Sequence, residues 1–289
     1  MHYEGNVIRP PSEADSIILQ VTVGCSHNKC TFCGAYKDVR FRIKEDEEVD
    51  QDIDFAATYC KRQKRVFLAD GDALIIPQKR LVPLLGRIRE KLPWVNRISL
   101  YANTKSIMLK SDDELKELKR LGLDRVYMGV ESGSDRILRD IRKGADSAGV
   151  ITAGKRVKDA GLFLSVTVLL GIGGTAYSQE HAVATGRVVS AMGANQIAAL
   201  TLMLLPNTLL YLDEKTNKFT LPGRKEILLE LRTMVEHISS PRVQFHSNHA
   251  SNYLPLNCRL TKDRDRVLAV IDQALAGTRM LKPEFLRAL

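Results

Sequence analysis

Short, nearly continuous apolar runs recur along most of this chain, each followed by a segment with helical period, and this alternation constrains the fold more than any other feature. The runs are SIILQVTV (16–23), RVFLA (65–69), RISLYA (97–102), RVYMGV (125–130), FLSVTVLLG (163–171) and QIAALTLMLL (196–205). Strands of a parallel sheet are covered on both faces, so their sequences lose the alternation of half-exposed strands. Helix-period segments fill 46–62, 77–91, 112–121, 147–160 and 178–192. Ser111, followed by Asp112, Asp113 and Glu114, marks one helix start, and Gly122 and Gly161 mark two helix ends. Six β-α repeats over 16–205 are therefore expected, forming an α/β fold with a parallel sheet and right-handed crossovers. Periodicity alone fits a doubly wound sheet and a barrel equally.

Beyond Pro206, the pattern predicts a helix near 224–239, a short strand at Val243–His246 and a last helix near 262–276. No linker, repeat or low-complexity stretch interrupts the chain, so a single domain over 1–289 is expected, with a core of about 16–210 and a C-terminal extension of about 211–289.

The N-terminal residues MHYEGNVIRPPSEADS have no apolar core of a signal peptide, and no apolar run reaches the roughly 18–20 residues of a membrane span. A cytoplasmic protein without a membrane partner is expected. The formal net charge of +9, from 43 Lys and Arg against 34 Asp and Glu, keeps RNA or an anionic substrate open. Those basic residues are scattered, as on solvated helix faces.

Five cysteines in a reducing compartment point to metal or redox chemistry rather than disulfides. Cys25, Cys30 and Cys33 crowd into VGCSHNKCTFCGAY (23–36), directly after the first predicted strand and so at the carboxyl end of the sheet, where α/β proteins place their sites. A structural zinc normally takes four protein ligands in two separated pairs, and no second CxxC exists here; His27 reads as a solvated loop residue. A [4Fe-4S] cluster matches better, because three thiolates leave one iron open. Cys60 and Cys258 are isolated and read as structural.

The loop CSHNKCTFC resembles the cluster loop of the radical S-adenosylmethionine (SAM) superfamily, C-x3-C-x-aromatic-C, with Phe32 as the aromatic and one extra residue between Cys25 and Cys30. ADGDAL (69–74), after the second strand, looks like the superfamily's GGE turn. The resemblance implies that carbonyls of Asp70 and Gly71 and the Asp72 side chain hold the SAM amino group. GVESGSDRILRDIRKG (129–144) is similar to a signature shared by tRNA methylthiotransferases and relatives of oxygen-independent coproporphyrinogen oxidase. It implies Glu131 on the ribose hydroxyls and Lys143 near the SAM carboxylate. LLGIGGT (169–175) matches the family's glycine segment, placing Gly171 and Gly173 near adenine. The fold so implied is a partial (β/α)6 TIM-like barrel with a C-terminal helical extension.

The implied chemistry is reductive cleavage of SAM to a 5'-deoxyadenosyl radical that abstracts hydrogen from a substrate, with a flavodoxin or ferredoxin as electron donor. FHSNHASNYLPLNCRL (245–260) gathers uncharged hydrogen-bonding groups, and His246, Asn248, His249, Asn252 and Tyr253 are candidates to face a small polar substrate. No cobalamin-binding or separate RNA-binding domain is recognised. A radical SAM enzyme acting on a small molecule is the leading expectation; the alternatives are an RNA-modifying radical SAM enzyme and a zinc-binding structural or nucleic-acid-binding module.

Overall fold

A computed structural model describes residues 1–288, which group into two compact units. The first unit comprises Met1–Asn28, Ala35–Met128 and Arg156–Leu164; the second comprises Lys29–Gly34, Gly129–Lys155 and, of the described residues, 165–288.

The first unit is built on parallel strands in the order β1 (Ile17–Gln20), β4 (Arg65–Ala69), β5 (Arg97–Ala102) and β6 (Leu123–Glu131), the last three residues of β6 belonging to the second unit. Val66 stands beside Ile17 and Ile98, and Leu68 beside Leu19 and Leu100; all but Ile17, 3% exposed, are fully buried. Runs of this kind gain from burial on both faces, which explains their lack of alternation. Helices α1 (Asp46–Tyr59) and α2 (Gln78–Lys91) bury Val49, Ile53 and Ala56, and Leu81, Leu85 and Ile88, at helical spacing. After β5 come α3 (Thr104–Met108) and α4 (Asp112–Arg120). Ser111 caps α4 reciprocally: its Oγ accepts from Glu114 N at 3.0 Å, and its own N–H donates to Glu114 Oε2 at 2.6 Å.

The expected strand over 16–23 is interrupted at Val21, whose N–H donates to Ala69 O (2.6 Å) while its carbonyl accepts from Lys44 N (3.1 Å). The backbone changes partners there, and β2 (Thr22–Val23) pairs antiparallel with β3 (Arg42–Ile43). Hydrophobic pattern reports burial and is silent about which neighbour a strand bonds.

In the second unit, α5 (Asp135–Asp140) and α6 (Ser147–Asp159, its last turn grouped with the first unit) precede β7 (Phe163–Leu170, its first two residues grouped with the first unit) and α7 (Gly174–Ala191). Next come β8 (Gln196–Thr201), α8 (Leu209–Lys215), α9 (Arg224–His237), β9 (Gln244–His246), β10 (Asn257–Arg259) and α10 (Leu260–Leu275). β7, β8 and β9 are parallel; β10 is antiparallel to β9. The sixth predicted strand ends at Thr201, four residues before the expected Leu205. No described helix is long and apolar enough to cross a membrane.

Candidate functional site

In the first unit, three turns at the carboxyl ends of neighbouring strands carry the polar groups. Gly71 N–H donates to Gly24 O (3.1 Å), fixing the turn after β4 against the start of the cysteine loop. A Cβ on Gly71 would stand 3.0 Å from the Tyr36 ring and 3.1 Å from Cys25 Cβ, so the close approach requires glycine. Asp70, 1% exposed, accepts from Tyr36 OH at one oxygen and from Gln20 Nε2 and Gly24 N at the other (both 3.3 Å). Its own N–H donates to Thr22 Oγ1 at 3.0 Å. Burial holds its carboxyl above the usual range, and these hydrogen bonds pull it back. Asp70 thus fastens the loop from inside.

Asp72 differs. It is fully buried, and its Oδ2 accepts from Ser26 Oγ (2.5 Å) and Asn103 Nδ2 (2.8 Å), while Oδ1 has no hydrogen-bond partner. Burial raises its pKa to about 6 against the lowering pull of Ser26, Ser106 and Asn103. Asn103, the residue after β5, is itself held by α3: Ser106 N donates to Asn103 Oδ1 at 2.9 Å. The outcome is an oriented buried carboxylate with one oxygen uncommitted.

In the second unit, segment Lys29–Gly34 carries Cys30, Phe32 and Cys33. Thr31 N–H donates to Ile141 O and Thr31 O accepts from Leu210 N, both at 3.0 Å; Asn207 Nδ2 donates to Gly34 O at 3.0 Å. Phe32 packs against an apolar cluster that includes Ile137, Ile172 and Leu202. Cys25, Cys30 and Cys33 form no disulfide and are each partly exposed, and so are chemically suited to ligate an iron–sulfur cluster. Among the described residues, no three His, Cys, Asp or Glu side chains are gathered as closely as a single metal ion needs; a four-iron cluster binds each thiolate at a different iron.

Glu131 closes β6 with φ +64°, in the left-handed region, and is 8% exposed. Lys143 Nζ lies 2.8 Å from its Oε1. A Cβ at Gly129 would collide with that Oε1 and lie 3.0 Å from Lys143 Nζ, so glycine admits the pair. Gly171 (φ +85°) donates its N–H to Glu230 Oε1 at 2.6 Å, and Gly173 borders a cavity of about 290 Å³ lined also by Ile137, Ile172, Tyr177 and Phe219.

The C-terminal polar segment divides by role. Asn252, 2% exposed, receives Thr201 Oγ1 at its Oδ1 and donates its Nδ2 to Ala199 O, both at 2.8 Å. Tyr253 OH donates to Glu284 Oε2 (2.7 Å) and accepts from Arg287 Nη1 (2.6 Å), whose guanidinium also stacks 4.1 Å from the ring centroid. Through these contacts Asn252 and Tyr253 fasten the segment. Asn248 is exposed, His246 and His249 half-exposed; burial lowers the His249 pKa, with Lys282 adding to it. Cys258 is buried on β10, and burial pushes its thiol up to about 11, in keeping with a structural residue.

Sequence reading missed Ser26 and Asn103 around Asp72, and His181 and Glu230 behind Gly171. Glu230 carried a signal: it interrupts the apolar face of α9 formed by Ile227, Leu231 and Met234. Asn103, a cap residue directly after a predicted strand, carried another.

A family model described as the Radical SAM superfamily matches residues 19–184. A methylthiotransferase-like protein of Methanocaldococcus jannaschii is 25% identical over 153 residues, 51% of this chain and 33% of that protein. The heme chaperone HemW of Bacillus subtilis is 24% identical over 165 residues, 56% of this chain and 43% of its own. The chain thus spans less than half the length of these relatives. Among solved structures, coproporphyrinogen III oxidase (HemN) of Escherichia coli aligns with TM-score 0.57 and 14% identity, covering 78% of this chain and 52% of that one. Methylornithine synthase (PylB) aligns with TM-score 0.54 and 17% identity, covering 75% and 61%. These likenesses are of fold, and they agree with the expected partial (β/α)6 class. With more than half its length matched by the family model, the chain belongs to the Radical SAM superfamily, enzymes that use a [4Fe-4S] cluster and S-adenosylmethionine.

Proposed function

We propose that Cys25, Cys30 and Cys33 ligate the [4Fe-4S] cluster, and that the strand-end turns bind SAM for hydrogen abstraction from a small polar substrate. Asp72, with the Asp70 and Gly71 carbonyls, would take the methionine amino group, Lys143 the carboxylate, Glu131 the ribose hydroxyls, and Gly171, Gly173 and Phe32 the adenine side. The observation that carries this reading is the uncommitted Oδ1 of Asp72: a buried acceptor without a donor is costly, and an ammonium group is the partner it lacks. Ser26 and Asn103 hold that carboxylate in one orientation, so binding spends little on ordering it.

When bound, the cluster and SAM supply a carbon-centred radical able to remove a hydrogen atom, given one electron from a donor such as flavodoxin or ferredoxin. The chain's own residues bind, orient and exclude water. Asn248, His246 and His249 are offered as the substrate-facing groups, hydrogen-bonding side chains suited to orienting a polar small molecule. RNA modification is the second reading, and the net charge of +9 favours it. The zinc-module alternative gives way to family membership.

The test is anaerobic purification followed by iron, sulfide and zinc analysis and a reductant-dependent assay for 5'-deoxyadenosine. A brown protein with about four irons that cleaves SAM is expected; a colourless zinc protein would sink the proposal. Adding metabolite extract or RNA separately, and following label transfer into 5'-deoxyadenosine, separates the two substrate readings.

A further inference from the structure

The three residues after Glu131 are each held by a side chain of α7. Ser132 Oγ pairs with His181 Nδ1 at 2.9 Å, Gly133 N–H donates to Thr185 Oγ1 at 2.8 Å, and Ser134 Oγ donates to Glu180 Oε1 at 2.5 Å. Ser132 Oγ also accepts from Ser134 N at 3.1 Å, tightening the turn on itself. His181 is fully buried, and its other nitrogen lies 3.5 Å from Glu230 Oε1, also fully buried. That same oxygen receives Gly171 N–H, and Glu230 Oε2 receives Ser178 Oγ. The polar links are two, Ser132 to His181 on α7 and Glu230 to the Gly171 turn; His181 Nε2 and Glu230 Oε1 stand 3.5 Å apart with no hydrogen bond joining them.

Two physical points make this more than core filling. A buried imidazole and a buried carboxylate are a costly way to pack two helices, since apolar side chains of similar volume would do as well or better. In addition, Glu131 holds a left-handed backbone that a non-glycine residue adopts only when its surroundings dictate it. The Glu131 and Gly171 turns are the two segments proposed above for ribose and adenine.

We infer that His181 is a positioning residue for the nucleoside part of SAM, holding the Glu131 turn through Ser132 and standing against the Glu230 carboxylate that holds the Gly171 turn. The inference rests on the proposed roles of Glu131 and Gly171. Without His181, Ser132 loses its partner on α7, and the backbone that carries Glu131 loses one of its three tethers to that helix.

The experiment measures binding of S-adenosylhomocysteine to the cluster-loaded protein by calorimetry, with iron and sulfide content and circular dichroism followed in parallel. His181→Leu should retain fold and iron yet bind at least tenfold more weakly. His181→Asn, whose amide can again meet Ser132 Oγ, should recover most of the affinity, a rescue that mere core filling would not produce. Wild-type affinity in His181→Leu, with Glu131→Ala weakened, overturns the positioning role. Wild-type affinity in Glu131→Ala instead overturns the reading on which the inference rests. Should His181→Leu fail to fold, Ser132→Ala removes the same hydrogen bond from its other end; unchanged affinity there overturns the inference, and a tenfold loss supports it.

Discussion

Lys143 Nζ stands 2.8 Å from Glu131 Oε1, an ion pair whose side chains are 13% and 11% exposed. Such a pair is partly desolvated, so removing one member leaves a charge with poor compensation. Lys143→Met should cost about 1–3 kcal/mol of stability and weaken SAM binding. Glu131→Gln keeps the size, removes the charge and should weaken SAM by about tenfold, the equivalent of one charge-assisted hydrogen bond. Calorimetric titration of the cluster-loaded variants decides; unchanged affinity in both would remove the pair from the cofactor site.

Single Ala replacements of Cys25, Cys30 or Cys33 should abolish iron loading, because three thiolates are already the smallest ligand set for the cluster. Cys60→Ala and Cys258→Ala should load iron normally. A Cys258→Ala protein as empty of iron as Cys30→Ala would show that the ligand set is wrong.

Asp72 offers a pH test. Its carboxyl keeps a proton in the native state up to about pH 6, against an ordinary value of 3.8. The native state therefore binds more protons between those values, and stability is lost as pH rises through the window. At pH 7.5 the wild type carries the whole cost, about 3 kcal/mol. Asp72→Asn avoids it and should unfold at a higher denaturant concentration at pH 7.5, with the advantage gone near pH 4. The same variant should bind SAM at least tenfold more weakly. An advantage equal at both pH values would show that charge burial is not its source.

Asn252→Ala and His249→Ala should part company. Asn252 makes two buried hydrogen bonds to Thr201 and Ala199, so its loss should cost about 2–3 kcal/mol in urea unfolding. His249, half-exposed, should cost under about 1 kcal/mol and act instead on substrate turnover. Equal destabilisation by the two would contradict the division of the segment.

Much of the architecture was legible in residue order alone. Runs such as RVFLA and RISLYA are apolar without interruption because β4 and β5 are covered on both faces, and their boundaries stand at the predicted residues. The spacing of Cys25, Cys30 and Cys33, and the placement of Asp72, Glu131 and Gly171 at the ends of the second, fourth and fifth predicted strands, needed no coordinates, since a β-α repeat delivers each strand end to the same edge of its sheet. What residue order left open depends on contacts between distant segments. The handover at Val21, from β4 to β3, is a choice of hydrogen-bonding partner that hydrophobicity does not encode. Asn252 reads as a polar loop residue until Thr201 and Ala199 are found beside it, 51 and 53 positions earlier in the chain. His181 and Glu230 lie 49 positions apart, and their pairing with the Ser132 and Gly171 turns arises only when α7 and α9 pack together. Period and composition report which groups avoid water; which polar partners satisfy them once buried is settled by tertiary packing, because a buried hydrogen bond needs its partner within about 3 Å and sequence separation sets no such distance.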